Sequence, residues 1–255
     1  MRVLLFFTMF AQITPPFYFA HRGASAHAPE NTLVAFELAL KQGAPAIEFD
    51  VKLTADRQVV IHHDQTLERT TDGSGLITKQ PLAALRELDA GSKFSADFRG
   101  EKIPTLAEVF EALGRKMFMN IELTNYASPF DGLVDEVVKL VRQHGLEERV
   151  LFSSFFPTNL TRARRLLPSV PRGQLFLPGG SGWWQRFSAK FMSLQAEHPF
   201  KDDVSAAVIQ HAHARGRHVY TWTVNDPTEM KTLRALGVDA IFTDDPLLAN
   251  ESFLR

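Results

Sequence analysis

Apolar residues along the chain fall into two rhythms. Short dense runs recur as "FYFA" (17–20), "AIEFDV" (46–51), "QVVIHH" (58–63), "KMFMNIEL" (116–123), "RVLFSSF" (149–155), "GQLFL" (173–177), "HVYTWTV" (218–224) and "DAIFT" (239–243). Their length and their β-branched and aromatic content read as strands. Between most of them, apolar positions return at helical spacing. Leu33, Phe36, Leu38, Ala39 and Leu40 follow the first run, and Leu133, Val134, Val137, Val138 and Val141 share one face of a helix predicted over residues 130–144. Further helices are predicted over 160–167 and 227–236. Such alternation implies parallel strands joined by right-handed crossovers. Eight strands in 255 residues predict an α/β fold of the TIM (β/α)8 barrel type. An open doubly wound sheet is the main competitor, but no G-x-G-x-x-G or P-loop follows any strand.

Three stretches depart from the alternation. Residues 65–105 carry turn signals, a short helical piece and no strong strand, and read as a small insertion after the third strand region that shapes one wall of the site. Residues 176–200, "FLPGGSGWWQRFSAKFMSLQAEHPF", hold a dense aromatic set beside glycines; core beneath a long loop is the expectation, an exposed grip for an acyl chain the alternative. Residues 1–16, "MRVLLFFTMFAQITPP", form an apolar extension expected to pack on a single domain of residues 17–255. The apolar run falls short of the roughly 18 to 20 residues of a spanning helix. A cytoplasmic location is therefore expected, with secretion or interfacial anchoring as the alternatives.

Hydrophobic residues make up 45% of the chain and charged residues 22%, enough for a substantial core. A formal net charge of -1 gives no reason to expect a nucleic-acid partner or an anionic membrane from bulk electrostatics. The absence of cysteine excludes disulfides, thiolate chemistry and cysteine-based zinc sites.

Against this background, the out-of-place polar residues sit at the carboxyl ends of predicted strands, which in a barrel converge on the face where active sites are built. His21 and Arg22 end the first strand, Glu48 and Asp50 the second, His63 and Asp64 the third, Glu122 the fourth and Ser153 and Ser154 the fifth, while Trp222 and Asn225 lie near the end of the seventh. Glu48 and Asp50, two apart, share one side of their strand while Phe49 packs on the other. With Glu122 they offer three hard oxygen donors, a set suited to one divalent cation, Mg²⁺ or Ca²⁺, rather than zinc. His21 and His63 offer imidazoles, the side chain type suited to supply the acid and base that displacement at phosphorus requires. Arg22 has the planar fork to hold two phosphate oxygens. Asn31 and Thr32 stand at a helix start as an N-cap, Asn31 alternatively orienting a histidine. His211, His213 and His218 read as a solvated face.

At this point the chain resembles the glycerophosphodiester phosphodiesterases. The motifs that carry the resemblance are "AHRGASAHAPENTLVAF", "AIEFDVKLTADRQVVIHHDQTLERTTDGSG", "IPTLAEVF", "NIEL", "SSF", "WTVN" and "GVDAIFTDDP", in family order from Phe19 to Pro246. The resemblance implies a TIM barrel, a divalent cation on Glu48, Asp50 and Glu122, His21 and His63 as acid and base, and Arg22, with Trp222 beside it, on the substrate. It implies a small-molecule glycerophosphodiester substrate, with glycerol 3-phosphate and an alcohol as products. In one departure, "IELT" stands where many members read Ile-Glu-Ile-Lys, so Thr124 replaces a lysine expected near the phosphate. Two alternatives stay open: a lysophospholipase D whose Trp183, Trp184, Phe187 and Phe191 grip an acyl chain, and a phosphate-ligand binding module without turnover.

Overall fold

The computed structural model describes residues 12–254. Among them nine strands run in chain order: β1 (Phe17–His21), β2 (Ala46–Leu53), β3 (Val59–Ile61), β4 (Phe118–Leu123), β5 (Val150–Ser154), β6 (Arg172–Leu175), β7 (Ala196–His198), β8 (His218–Thr221) and β9 (Ala240–Thr243). Eight are parallel, in the order β1-β9-β8-β7-β6-β5-β4-β2, and the β1–β2 pairing closes them into a barrel. This is the TIM barrel that the alternation of runs predicts.

One of the eight predicted staves is replaced. "QVVIHH" is not in the ring: β3 pairs antiparallel with β2, Val51 opposite Ile61 and Leu53 opposite Val59. The eighth stave is instead β7, with the sequence Ala-Glu-His. Its polar residues hide it, because both are buried by special partners. Glu197 pairs with the buried Arg217 at 2.6 Å, and the His198 ring packs 5.3 Å from those of Tyr220 and Phe242 inside the barrel.

The helices are α1 (Leu33–Lys41), α2 (Leu82–Glu87), α3 (Leu106–Leu113), α4 (Leu133–His144), α5 (Pro157–Leu166), α6 (Trp183–Ala189), α7 (Ala206–His213), α8 (Pro227–Leu236) and α9 (Pro246–Ser252). Outward-facing strand residues such as Tyr18, Ile47, Phe49, Val51, Ile121 and Phe152 form one continuous core with these helices. Helix α4 starts three residues later than its apolar pattern suggests, because Gly132 takes φ +86° and the Asp131 carboxylate accepts from Leu133 N at 2.9 Å. No helix among the described residues is long and apolar enough to cross a membrane.

Period-two alternation sorts the inward face into layers. Phe17, Phe19, Ala46, Phe118, Leu151, Ala196, Tyr220, Ala240 and Phe242 fill the barrel interior. Continuing two residues at a time toward the carboxyl ends, the same rows become His21, Glu48 and Asp50, Asn120 and Glu122, and Ser153. Polarity therefore changes along each of these four strands, from floor to mouth.

The insertion, residues 65–105, holds α2 and a core of its own from Leu67, Ile77, Leu85, Ala90 and Ile103 against Val60. Of the aromatic stretch after β6, Phe176 joins the core, but the aromatic residues of the helix that follows do not. In α6 and just beyond, Trp183, Trp184, Phe187 and Phe191 are 65, 52, 47 and 77% exposed, because that helix buries only Gln185 and Ala189. Of the apolar extension, residues 1–11 lie outside the described residues; Ile13 packs with Phe17 and Phe118 at the barrel floor.

Candidate active site

The β1–α1 connection turns immediately after His21. Arg22 adopts φ +56° and Gly23 φ +87°. This tight turn aims Arg22 N–H at Glu48 Oε2, 3.1 Å away. Glycine is required at 23, since a Cβ there would lie 2.7 Å from the carbonyl carbon of Ala35. The turn brings the end of β1 over that of β2, where register pairs His21 with Glu48. One strand further round, Asp50 lies opposite Glu122. Ligand oxygens of Glu48, Asp50 and Glu122 can all lie within 4.8 Å of one another.

So close a trio of buried carboxylates cannot ionise freely. Burial, then Asp50 and Glu122, push the Glu48 carboxyl well above its usual range. Burial and Asp50 push Glu122 up to about 8, against a hydrogen bond of 2.8 Å from Tyr126 Oη. Asp50 is held down: burial opposes its charge, but Arg22, with Nε 3.6 Å from Oδ2, and Asn31, whose Nδ2 donates to Oδ2 at 3.0 Å, outweigh it. Thr32 caps α1 by accepting from Ala35 N, so the cap and the site ligand are different residues. Asn31 serves Asp50 rather than a histidine. Three anionic oxygen donors, two of them unable to shed their protons cheaply, fit a hard divalent cation.

Both histidines carry a carboxylate on the same ring nitrogen. His21 Nδ1 lies 2.6 Å from Asp244 Oδ1, and His63 Nδ1 lies 2.6 Å from Asp64 Oδ1. Each carboxylate is itself fixed. Asp244 accepts from Asn225 Nδ2 at 2.6 Å and Ser25 Oγ at 3.1 Å. It titrates at about 2, because these bonds and the one to His21 overcome its burial. Asp64 accepts from Arg69 Nε at 2.6 Å. Arg69 also grips Glu30, which accepts from Arg22 Nη1 at 2.8 Å, so the insertion is tied across the mouth to the first loop. His63 does not reach the mouth at the end of a stave. It arrives on the return arm of the β2–β3 hairpin, where His62 N donates to Asp50 O at 2.9 Å.

A cavity of about 120 Å³ gathers His21, Arg22, Glu48, His63, Asn120 and Glu122 on one side and Phe155, Leu175, Trp222 and Phe242 on the other. Trp222 donates from Nε1 to His198 O at 3.0 Å and meets Phe155 edge-on at 5.6 Å. Ser153 and Ser154 do not line this cavity: Ser153 Oγ accepts from Asn120, which does, and Ser154 Oγ donates to Leu123 O. His211 and His213 are exposed, as a solvated face requires, while His213 and the half-buried His218 also converge on Asp239, at 2.7 and 3.2 Å.

Lys52 is a residue that sequence reasoning passes over. It is 4% exposed, and its Nζ donates to Thr124 O and Thr124 Oγ1, both at 3.1 Å. It extends the inward row Glu48–Asp50, while Thr124 extends the row Asn120–Glu122. A buried ammonium therefore stands beside the carboxylate trio. Burial lowers its proton affinity while Asp50 and Glu122 raise it.

A sequence model of the glycerophosphoryl diester phosphodiesterase family matches residues 21–248. The chain is 38% identical over 228 residues to a glycerophosphodiester phosphodiesterase of Caldanaerobacter subterraneus, covering 89% of this chain and 93% of that one. Its fold is similar to that of an Oleispira antarctica phosphodiesterase in complex with the product sn-glycerol-3-phosphate, with TM-score 0.85, 35% identity and coverage of 94 and 98% of the two chains. It is also similar to a glycerophosphodiester phosphodiesterase of Thermotoga maritima, with TM-score 0.77, 27% identity and coverage of 94 and 98%.

Proposed function

The chain belongs to the glycerophosphoryl diester phosphodiesterase family and is a glycerophosphodiester phosphodiesterase, and from that premise we propose how its residues carry the reaction. The substrates are glycerophosphodiesters such as the deacylated headgroups of phospholipids, and the products are glycerol 3-phosphate and an alcohol. Glu48, Asp50 and Glu122 hold one Mg²⁺ or Ca²⁺. Such an ion, when bound, polarises the phosphate and offsets the charge that grows on its oxygens.

Arg22 presents its guanidinium to the phosphate, which it can do while keeping its bond to Glu30. Of His21 and His63, one takes the proton from the attacking oxygen, either water or the 2-hydroxyl of the glycerol, the latter giving a cyclic phosphate that water then opens to glycerol 3-phosphate. The other gives a proton to the leaving alkoxide as its bond to phosphorus breaks. Asp244 and Asp64 each fix an imidazole through Nδ1, leaving Nε2 for the substrate. Lys52 supplies, from β2, positive charge that the family resemblance leads one to expect at position 124. This argues against the reading of a binding module without turnover.

The observation that carries this reading is the convergence of two carboxylate-held imidazoles on one small cavity shared with Arg22, Glu48 and Glu122. The test is turnover of glycerophosphocholine by chelated enzyme, then with single metals restored, for the parent chain and for His21→Ala and Glu48→Gln. Loss of turnover in both variants and metal-restored activity in the parent are expected; full activity in either variant would end the reading. The apolar half of the cavity, Phe155, Leu175 and Trp222, favours lysophospholipids as a second substrate class. Comparable rates on lysophosphatidylcholine and glycerophosphocholine would support it.

A further inference from the structure

The exposed aromatics after β6 form one connected ridge. Ring centroids are 5.7 Å apart for Trp183 and Trp184, 6.0 Å for Trp184 and Phe187, and 5.3 Å for Phe187 and Phe191. Residues 183, 187 and 191 follow one another at four-residue steps, so the rings make a stripe rather than a scatter. Monomeric soluble proteins rarely leave a contiguous aromatic patch uncovered without a partner.

Charge says which partner. From 176 to 196 the chain has two basic residues, Arg186 and Lys190, and no Asp or Glu, in a protein whose formal net charge is -1. Against the same helix lies a cavity of about 450 Å³ with four basic side chains, Arg186, Lys190, Arg215 and Arg217, and two acidic ones, Asp203 and Glu197. Both acids are already spent: Asp203 pairs with Arg186 at 2.7 Å and Glu197 with Arg217 at 2.6 Å. Lys190 and Arg215, both exposed, leave this flank with a net positive charge. Tryptophan and phenylalanine beside lysine and arginine are the side chains that settle at a lipid–water boundary over anionic headgroups.

We infer that the α6 ridge docks the protein onto an anionic phospholipid surface, with Trp183, Trp184, Phe187 and Phe191 entering the interfacial layer and Lys190 and Arg215 meeting headgroup phosphates. The ridge begins eight residues after Leu175, which lines the catalytic cavity, so docking brings one edge of the barrel mouth to the lipid. Only that last consequence, access to lipid-borne diesters, rests on the function proposed above.

The experiment is partition of the full chain onto vesicles of phosphatidylcholine mixed with phosphatidylglycerol, in chelator so that no turnover intervenes, read by co-sedimentation and by tryptophan emission. A blue shift and binding are expected, falling tenfold or more in Phe187→Ser/Phe191→Ser, a variant that keeps all three tryptophans. Lys190→Glu/Arg215→Glu should lose the preference for anionic over pure phosphatidylcholine vesicles. Both variants should hydrolyse glycerophosphocholine as the parent does, a measurement that also establishes their folding. Equal partition of parent and variants, no binding, or a blue shift that instead follows protein concentration through self-association would each overturn the inference.

Discussion

The two halves of the barrel mouth are built differently. On the side of β1, β2 and β4, most side chains facing the cavity are charged and fixed by hydrogen bonds or ion pairs. His21 is fixed by Asp244, Asp50 by Arg22 and Asn31, and Glu122 by Tyr126. On the side of β5, β6, β8 and β9, the same cavity is walled by Phe155, Leu175, Trp222 and Phe242, held by packing and a single indole hydrogen bond. The contrast separates two tasks. Proton and charge transfer need fixed geometry, and an error of an ångström there is expensive; holding the rest of a substrate needs only shape and area.

That division sets an order of effects. His21→Ala, in the polar half, should lower kcat by about 10²–10⁴-fold, the usual worth of a general acid or base; stopped assays on glycerophosphocholine measure it, and a smaller loss than for any wall residue would erase the contrast. Asp244→Asn keeps the shape but removes the charge behind His21. A fall in kcat of roughly 10²-fold with little change in KM is expected, and a change confined to KM would assign Asp244 to binding instead.

The carboxylate trio gives a pH signature. In metal-free protein Glu122 is raised from 4.5 to about 8, and Glu48 is raised as well. Between those limits the folded chain keeps protons that the unfolded chain has released, so stability falls as pH rises, by about 1.4 kcal/mol per pH unit for one fully protonated group. A divalent cation takes the place of those protons. The gap in Tm between metal-loaded and chelated protein should therefore widen from pH 4.5 to 8; a constant gap would mean that the trio is not where the ion binds. The smallest effect belongs to the apolar half. Trp222→Ala should raise KM about fivefold, near 1 kcal/mol, with kcat little changed, and a large fall in kcat would move Trp222 into the chemistry.

Much of this layout is legible in the sequence. Glu48 and Asp50 stand out because a strand's period of two cannot place two carboxylates on one face without purpose, and the barrel brings Glu122 to them from 72 residues away along the chain. Other parts are not legible, each for its own reason. β7 escapes notice because its polar residues are buried by Arg217 and by an aromatic lining contributed from elsewhere in the chain. Lys52 resembles a solvated lysine until Thr124 appears beside it. The α6 aromatics suggest core because apolar density carries no information about which way a seven-residue helix faces. Asp244 sits in the quoted motif "FTDDP", yet only the closure of β9 onto β1 reveals that it belongs to His21.

The reversal of β3 has one further consequence. His63 is borne by a lever hinged on β2 rather than by the ring itself, and the same lever carries Arg69 and the insertion behind it. Lengthening or trimming residues 65–105 would thus retune one imidazole while leaving the hoop of eight staves untouched, giving this scaffold a place where reactivity can drift without endangering its architecture.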